Sequence, residues 1–135
     1  MPGIRDDERA LQRAMEARLG REQTVWLATV RGDGRPHLVP VWFVWYDQKV
    51  YLCTSAGSQK MVNMKRNGRA AVALPDTTDV LVIEGQVAFP LGETVDILAR
   101  EFNDKYGWSF LDEPGSDWRL VEITPTKVLA WNMHG

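Results

Sequence analysis

The sequence predicts a mainly β protein, a β-barrel of six to seven antiparallel strands with about three added helices, in one domain. Runs rich in β-branched and aromatic residues recur along most of the chain, separated by short polar or glycine-containing turns, so consecutive strands pair as neighbours. Only three stretches combine helical spacing with a cap and a stop. A length of 135 residues suits one compact domain.

The first helix follows Asp6 and Asp7 as caps, carries Leu11, Met15 and Leu19 on one stripe, and stops at Gly20. Thr24 to Val30 is the first strand, and Arg31-Gly32-Asp33-Gly34 turns it into a second from Pro36 to Trp45. After a polar turn at Asp47-Gln48-Lys49, Val50 to Thr54 forms the third strand, and Ser55-Ala56-Gly57-Ser58 opens a short helix ending near Asn67-Gly68. Ala70 to Leu74 is the fourth strand and, beyond the turn from Pro75 to Asp79, Val80 to Phe89 the fifth. Gly92 precedes a third helix, Thr94 to Tyr106, closed by Gly107. The polar stretch Trp108 to Asp117 leads to two final strands, Arg119 to Thr124 and Lys127 to Asn132, with Pro125 as the bend between them.

In the second strand both alternating sets are apolar: Leu38, Pro40, Trp42 and Val44 on one side, Val39, Val41, Phe43 and Trp45 on the other. Such a strand faces water on neither side. Either the chain's own C-terminal strands or helices cover the outer side, or a second copy does; in so small a domain the second copy is favoured, as a twofold homodimer.

Composition excludes several classes. With 16 basic and 18 acidic residues the chain lacks the basic excess of a general nucleic-acid binder. One cysteine, Cys53, forbids an internal disulfide framework, and the N-terminus has no signal-peptide pattern, which places the chain in the cytoplasm. No window approaches the roughly 20 apolar residues of a spanning helix, so no membrane association is expected. One cysteine and two distant histidines, His37 and His134, give neither a zinc ligand set nor a Ser-His-Asp arrangement. Cys53 reads as a small buried hydrophobe, and His37 as a packing or hydrogen-bonding residue rather than a general acid.

The chemistry concentrates where the third strand gives way to the second helix. Unpaired N–H groups at a helix N-terminus, hydroxyls from Thr54, Ser55 and Ser58, and the charge of Lys60 in the first turn together suit an anion such as phosphate. A lysine there opposes the helix dipole, and an anionic partner explains its presence; the alternative is an ordinary Ser cap beside a solvated lysine. Arg5, Arg9 and Arg13 form a second basic stripe, read either as a groove for a polyanionic tail or as a helix surface salt-bridged to Asp6, Asp7, Glu8 and Glu16.

Arg31-Gly-Asp-Gly-Arg-Pro-His-Leu-Val-Pro-Val-Trp-Phe43, Val50-Tyr-Leu-Cys-Thr54, Ser58-Gln-Lys-Met-Val-Asn63 and Val82-Ile-Glu-Gly85, in this order and spacing, resemble the pyridoxamine 5′-phosphate oxidase-like family of FMN-binding split β-barrels. The C-terminal Ile123-Thr-Pro-Thr-Lys-Val-Leu-Ala-Trp-Asn132 resembles its branch of coenzyme F420-dependent enzymes. The resemblance implies an oxidoreductase that transfers hydride between FMN, or alternatively F420, and a small-molecule substrate, with the cofactor at the interface of a homodimer. It further implies that the ring edge lies along His37, Leu38, Val39, Pro40 and Val41. The phosphate falls to Thr54, Ser58 and Lys60, with Ser55 and Gln59 as further cofactor-binding residues of the same turn, although the family often carries an arginine beside the lysine and in the second strand where this chain has Gln59 and His37. Asn63 buttresses that site or caps the loop, Val80 approaches the ring from the partner, and Trp131 lines the pocket or packs as core. No side chain need act as an acid or base, because the cofactor carries the reaction. The oxidase's Arg/His-rich C-terminal motif is replaced here by Ala130-Trp-Asn-Met-His-Gly135, which argues against pyridoxamine phosphate as substrate. The competing class is a non-catalytic protein that stores or senses a flavin or haem on the same fold.

Overall fold

The computed structural model describes residues 2–113 and 115–133, with side chains from Arg9 onward. The elements run α1 (Pro2–Arg21), β1 (Val25–Val30), β2 (Pro36–Val41), β3 (Val44–Tyr46), β4 (Lys49–Ser55), α2 (Gln59–Arg66), β5 (Arg69–Ala73), β6 (Asp79–Ala88), α3 (Glu93–Tyr106), a short 3₁₀ turn (Phe110–Asp112) and β7 (Trp118–Asn132). The strands form one antiparallel sheet in the order β2-β1-β5-β6-β7-β4-β3, curled into a half-barrel. No helix among the described residues is long and apolar enough to cross a membrane.

Three boundaries differ from the sequence reading. The α1 backbone begins at Pro2, so Asp6 and Asp7 lie within the helix instead of capping it. The strand expected from Pro36 to Trp45 breaks after Val41: β2 lies at one edge of the sheet, β3 at the other, and Trp42-Phe43 carries the chain between them. This corner is the split of the barrel, where backbone would otherwise pair across strands. The two strands expected after Asp117 are a single one, because Pro125 is absorbed in a bulge. Gly85 pairs with Pro125 and Glu84 with Lys127, leaving Thr126 as the extra residue whose hydroxyl donates to the Glu84 carbonyl at 3.2 Å. Only glycine fits at position 85, since a Cβ there would stand 2.5 Å from the Thr124 carbonyl oxygen. At the β3–β4 hairpin, Asp47 and Gln48 both take positive φ, the geometry that a two-residue turn between twisted strands requires.

The core has two parts. Leu27, Leu52, Ile83 and Ile123 from the concave sheet face meet Met61 and Met64 of α2 and Leu19 of α1. Leu98 and Phe102 of α3 pack with Phe110 over Val44, Tyr51 and Leu120. On the convex side, register aligns Pro40, Trp26, Ala73, Val82 and Leu129 in one row across β2, β1, β5, β6 and β7, with Leu38 beside Ala28 and Val80 opposite Trp131. Among the described residues α3 covers this face only where it lies over Tyr51 and Leu120 of β4 and β7, and the rows through β2, β1 and the C-terminal end of β7 have no such cover: Leu38 is 61% exposed and Trp131 49%.

Candidate functional site

β4 ends at Ser55 and α2 starts at Gln59, so Thr54 and Ser58 bracket a turn closed by the Ser58 N–H donating to the Ser55 carbonyl at 3.1 Å and by side-chain bonds. Ser58 is the N-cap, its Oγ accepting from the Met61 N–H at 3.2 Å, and it lies 2.9 Å from Thr54 Oγ1. The first turn holds no acidic residue. Among the described residues Lys60 makes neither an ion pair nor a hydrogen bond, although it sits where a cation opposes the helix dipole. Thr54, Ser55, Ser58, Lys60 and Val41 border one cavity of about 460 Å³.

The other expected residues have different surroundings. Ser55 donates to both carboxylate oxygens of Asp117, at 3.0 and 2.9 Å, and the Ala56 N–H bonds the Asp117 carbonyl, so this hydroxyl pins the loop before β7. Gln59 donates to Asn63 Oδ1 at 2.7 Å, and Asn63 donates to Thr29 Oγ1 at 2.9 Å. Asn63 is 1% exposed; buried amides are placed by such bonds, and this one ties α2 to β1 behind the anion corner. His37, Val39 and Val41 share the concave face of β2, opposite Thr29, Leu27 and Val25. The buried Nδ1 of His37 has no hydrogen-bond partner. Leu38 and Pro40 point to the convex face together with Val80 and Trp131. The expected set thus divides between the two faces of one sheet, and within one chain its halves do not meet. His134 lies outside the described residues.

The sequence reading missed the aromatic wall of the cavity. Trp42, Phe102, Trp108 and Trp118 line it with Cys53 and Glu113. Trp42 stacks on Tyr106 with centroids 4.4 Å apart and planes 3° from parallel, while Trp108 meets Trp118 edge-on at 5.3 Å. Glu113 accepts from the indole N–H of Trp108 at 2.6 Å and of Trp118 at 2.8 Å. These two bonds, the Trp108 one foremost, hold its carboxyl below the ordinary range, so the clamp is ionised at neutral pH. The available signal was the spacing Trp108-Glu113-Trp118, five residues on each side, in a stretch read as a polar connection. Burial pushes the Cys53 thiol up, which keeps it protonated and unreactive. On α1, Glu16 accepts from Trp45 Nε1 instead of pairing within the arginine stripe, and Arg9 and Arg13 make no ion pair among the described residues; the side chains of Arg5, Asp6, Asp7 and Glu8 lie outside them. No group of three His, Cys, Asp or Glu side chains among the described residues could hold a metal ion.

The arrangement is a cation, two hydroxyls and a helix start at one end of an aromatic-walled cavity, suited to a planar molecule bearing an anionic group. The family model described as pyridoxamine 5′-phosphate oxidase matches residues 11–132. The chain belongs to the pyridoxamine 5′-phosphate oxidase family. Within that family it is similar to an F420H(2)-dependent biliverdin reductase of Mycobacterium tuberculosis, 37% identical over 73 residues. That match covers 52% of this chain and 53% of the relative, so it spans about half the length of each. Among solved structures, an F420 reductase is 26% identical with a TM-score of 0.70, over 84% of this chain and 94% of the other. The haem storage protein HutZ of Vibrio cholerae, at 16% identity and a TM-score of 0.63 over 82% of this chain and 87% of its own, shares the fold.

Proposed function

We propose that this chain is a deazaflavin-dependent oxidoreductase, using coenzyme F420 in preference to FMN to pass hydride to or from a small planar molecule in the cytoplasm. The observation that carries the reading is the partnerless Lys60 at the start of α2, with Thr54 and Ser58 hydroxyls beside it in an aromatic-walled cavity. That donor set fits the phosphate that both cofactors carry, by charge and by hydrogen-bonding type. The preference for F420 draws on the two F420-dependent relatives, which outweigh the order in which the sequence alone ranks the cofactors.

Lys60, Ser58 and Thr54 hold the phosphate, while Asn63, through Thr29, keeps α2 against the sheet so that the corner does not move when charge is placed on it. Val41 and the tryptophan wall exclude water from the ring. Bound F420 supplies the hydride-transferring ring, and this chain supplies orientation and a dry site. We further propose a homodimer across the convex face. Its apolar rows are uncovered in the single chain, and pairing brings Leu38, Pro40, Val80 and Trp131 of one subunit to the edge of the other's site.

Stopped-flow mixing of the protein and reduced F420 with quinone, tetrapyrrole and nitroaromatic acceptors tests this proposal. Oxidation of F420 that depends on the protein is expected with at least one acceptor. Tight cofactor binding without turnover on any of them would favour the storage class instead.

A further inference from the structure

The split of the barrel leaves the backbone of Phe43 without a strand partner, and α3 supplies one. The Phe43 N–H donates to Tyr106 Oη at 3.0 Å, and the Phe43 carbonyl oxygen lies 2.7 Å from the same hydroxyl and 3.0 Å from Lys105 Nζ. The phenol has one proton to give and a second acceptor at 2.8 Å, the Gln23 carbonyl, so the lysine is what keeps the Phe43 carbonyl bonded in either case. Lys105 also reaches the Leu19 carbonyl at 3.4 Å, lies 4.0 Å from the centre of the Phe43 ring and 5.4 Å from that of Tyr106, and feels the opposing charge of Glu22. Two adjacent residues at the end of α3 therefore bind both polar groups and the ring of the corner residue. The residue before it, Trp42, is half exposed, lines the candidate cavity and stacks flat on Tyr106.

We propose that Lys105 and Tyr106 are positioning residues, closing the split at Phe43 and thereby fixing Trp42 as a rigid wall against which the planar ring of the ligand lies. The inference rests on the functional reading above and adds a division of labour: Lys60 addresses the anionic group, and the Lys105–Tyr106 pair addresses the ring through Trp42. A loose indole at a chain corner would have to be ordered on each binding event, whereas one already stacked and anchored has lost that freedom beforehand.

Two ligands separate these roles, F420 and its ribityl-deazaflavin core, which lacks the phosphate and the glutamate tail attached through it. Tyr106→Leu, which removes both the stack and the hydroxyl, is expected to weaken both ligands by the same factor, about five- to tenfold. Lys60→Ala is expected to weaken F420 alone. Tyr106→Phe and Lys105→Met, which keep the Tyr106–Trp42 stack, give intermediate losses and preserve the proposal's test if Tyr106→Leu fails to fold. In a Trp42→Ala background the Tyr106→Leu change is expected to cost nothing further, since its effect passes through that indole. Independently of any ligand, hydrogen exchange at Val41 to Val44 should rise in Tyr106→Leu and Lys105→Met. Losses confined to F420, full additivity with Trp42→Ala, or unchanged exchange at the corner would overturn the proposal. Raised exchange in the two variants, with a parent protein that binds neither ligand, would leave the closed split standing and would remove the functional reading and the ring wall with it.

Discussion

Replacing Leu38 by glutamate tests the proposed subunit interface at a position whose cost falls on assembly and not on the fold. Leu38 is 61% exposed in the single chain and sits on an edge strand, with Ala28 as its cross-strand neighbour. Complete burial of a leucine side chain yields about 1.5–3 kcal/mol, so covering the exposed three-fifths contributes roughly 1–2 kcal/mol per subunit and about 2–4 kcal/mol per twofold dimer. A glutamate also leaves a carboxylate unpaired in each half of the interface, at a further cost of several kcal/mol. The sum predicts a dimer dissociation constant raised by at least about a thousandfold, equivalent to roughly 4 kcal/mol. Sedimentation equilibrium over a range of protein concentrations reads this directly, and circular dichroism checks that the separated chains remain folded. A Leu38→Glu protein that dimerises as tightly as its parent would place the interface elsewhere. A parent that stays monomeric at the highest concentration would refute the dimer itself.

Three further outcomes follow from the same geometry. Lys60→Ala is expected to weaken F420 binding by about 1.5–3 kcal/mol in a fluorescence titration, the range for a hydrogen bond to a charged group, with the dimer intact. Gly85→Ala forces a Cβ onto the Thr124 carbonyl and Ile123 and should lower stability by roughly 1–3 kcal/mol in denaturant unfolding, with near-parent stability refuting the bulge geometry. Burial pushes Lys105 down from 10.5 to about 8 and Tyr106 up from 10 to about 12. Between pH 8 and 9 the unfolded chain binds more protons at Lys105, so unfolding free energy rises with pH there; above pH 9 the unfolded chain loses the Cys53 proton first, and above pH 10 those of Tyr51 and Tyr106, so stability falls. Lys105→Met should abolish the rise and spare the fall, as measured by urea midpoints across that range.

The fold was legible wherever a local rule governs. Ser58 announces its helix by the capping chemistry it performs, and Gly107 ends α3 in the left-handed conformation that glycine permits. Local rules failed where long-range pairing decides. Nothing within Pro36 to Trp45 marks the break at Trp42, because it arises from β2 and β3 joining opposite edges of one sheet. Pro125 looked like a strand end because the facing Gly85, forty residues away, is what lets β7 bulge and continue. The anion corner is contiguous in sequence and could be read as a unit; the aromatic wall draws on Trp42, Phe102, Trp108 and Trp118, which only the folded chain brings together. For the same reason the commitment of Ser55 to Asp117, sixty-two residues away, was invisible.

The most direct measurement of the central claim compares the affinity of the parent protein and of Lys60→Ala for F420 and for its ribityl-deazaflavin core, which lacks the phosphate and the glutamate tail. If the β4–α2 corner holds that phosphate, F420 binds the parent at least about tenfold more tightly than the core does, and most of that advantage is lost in Lys60→Ala. Equal affinity of the parent for the two, binding of neither, or an advantage that Lys60→Ala keeps in full would contradict the account.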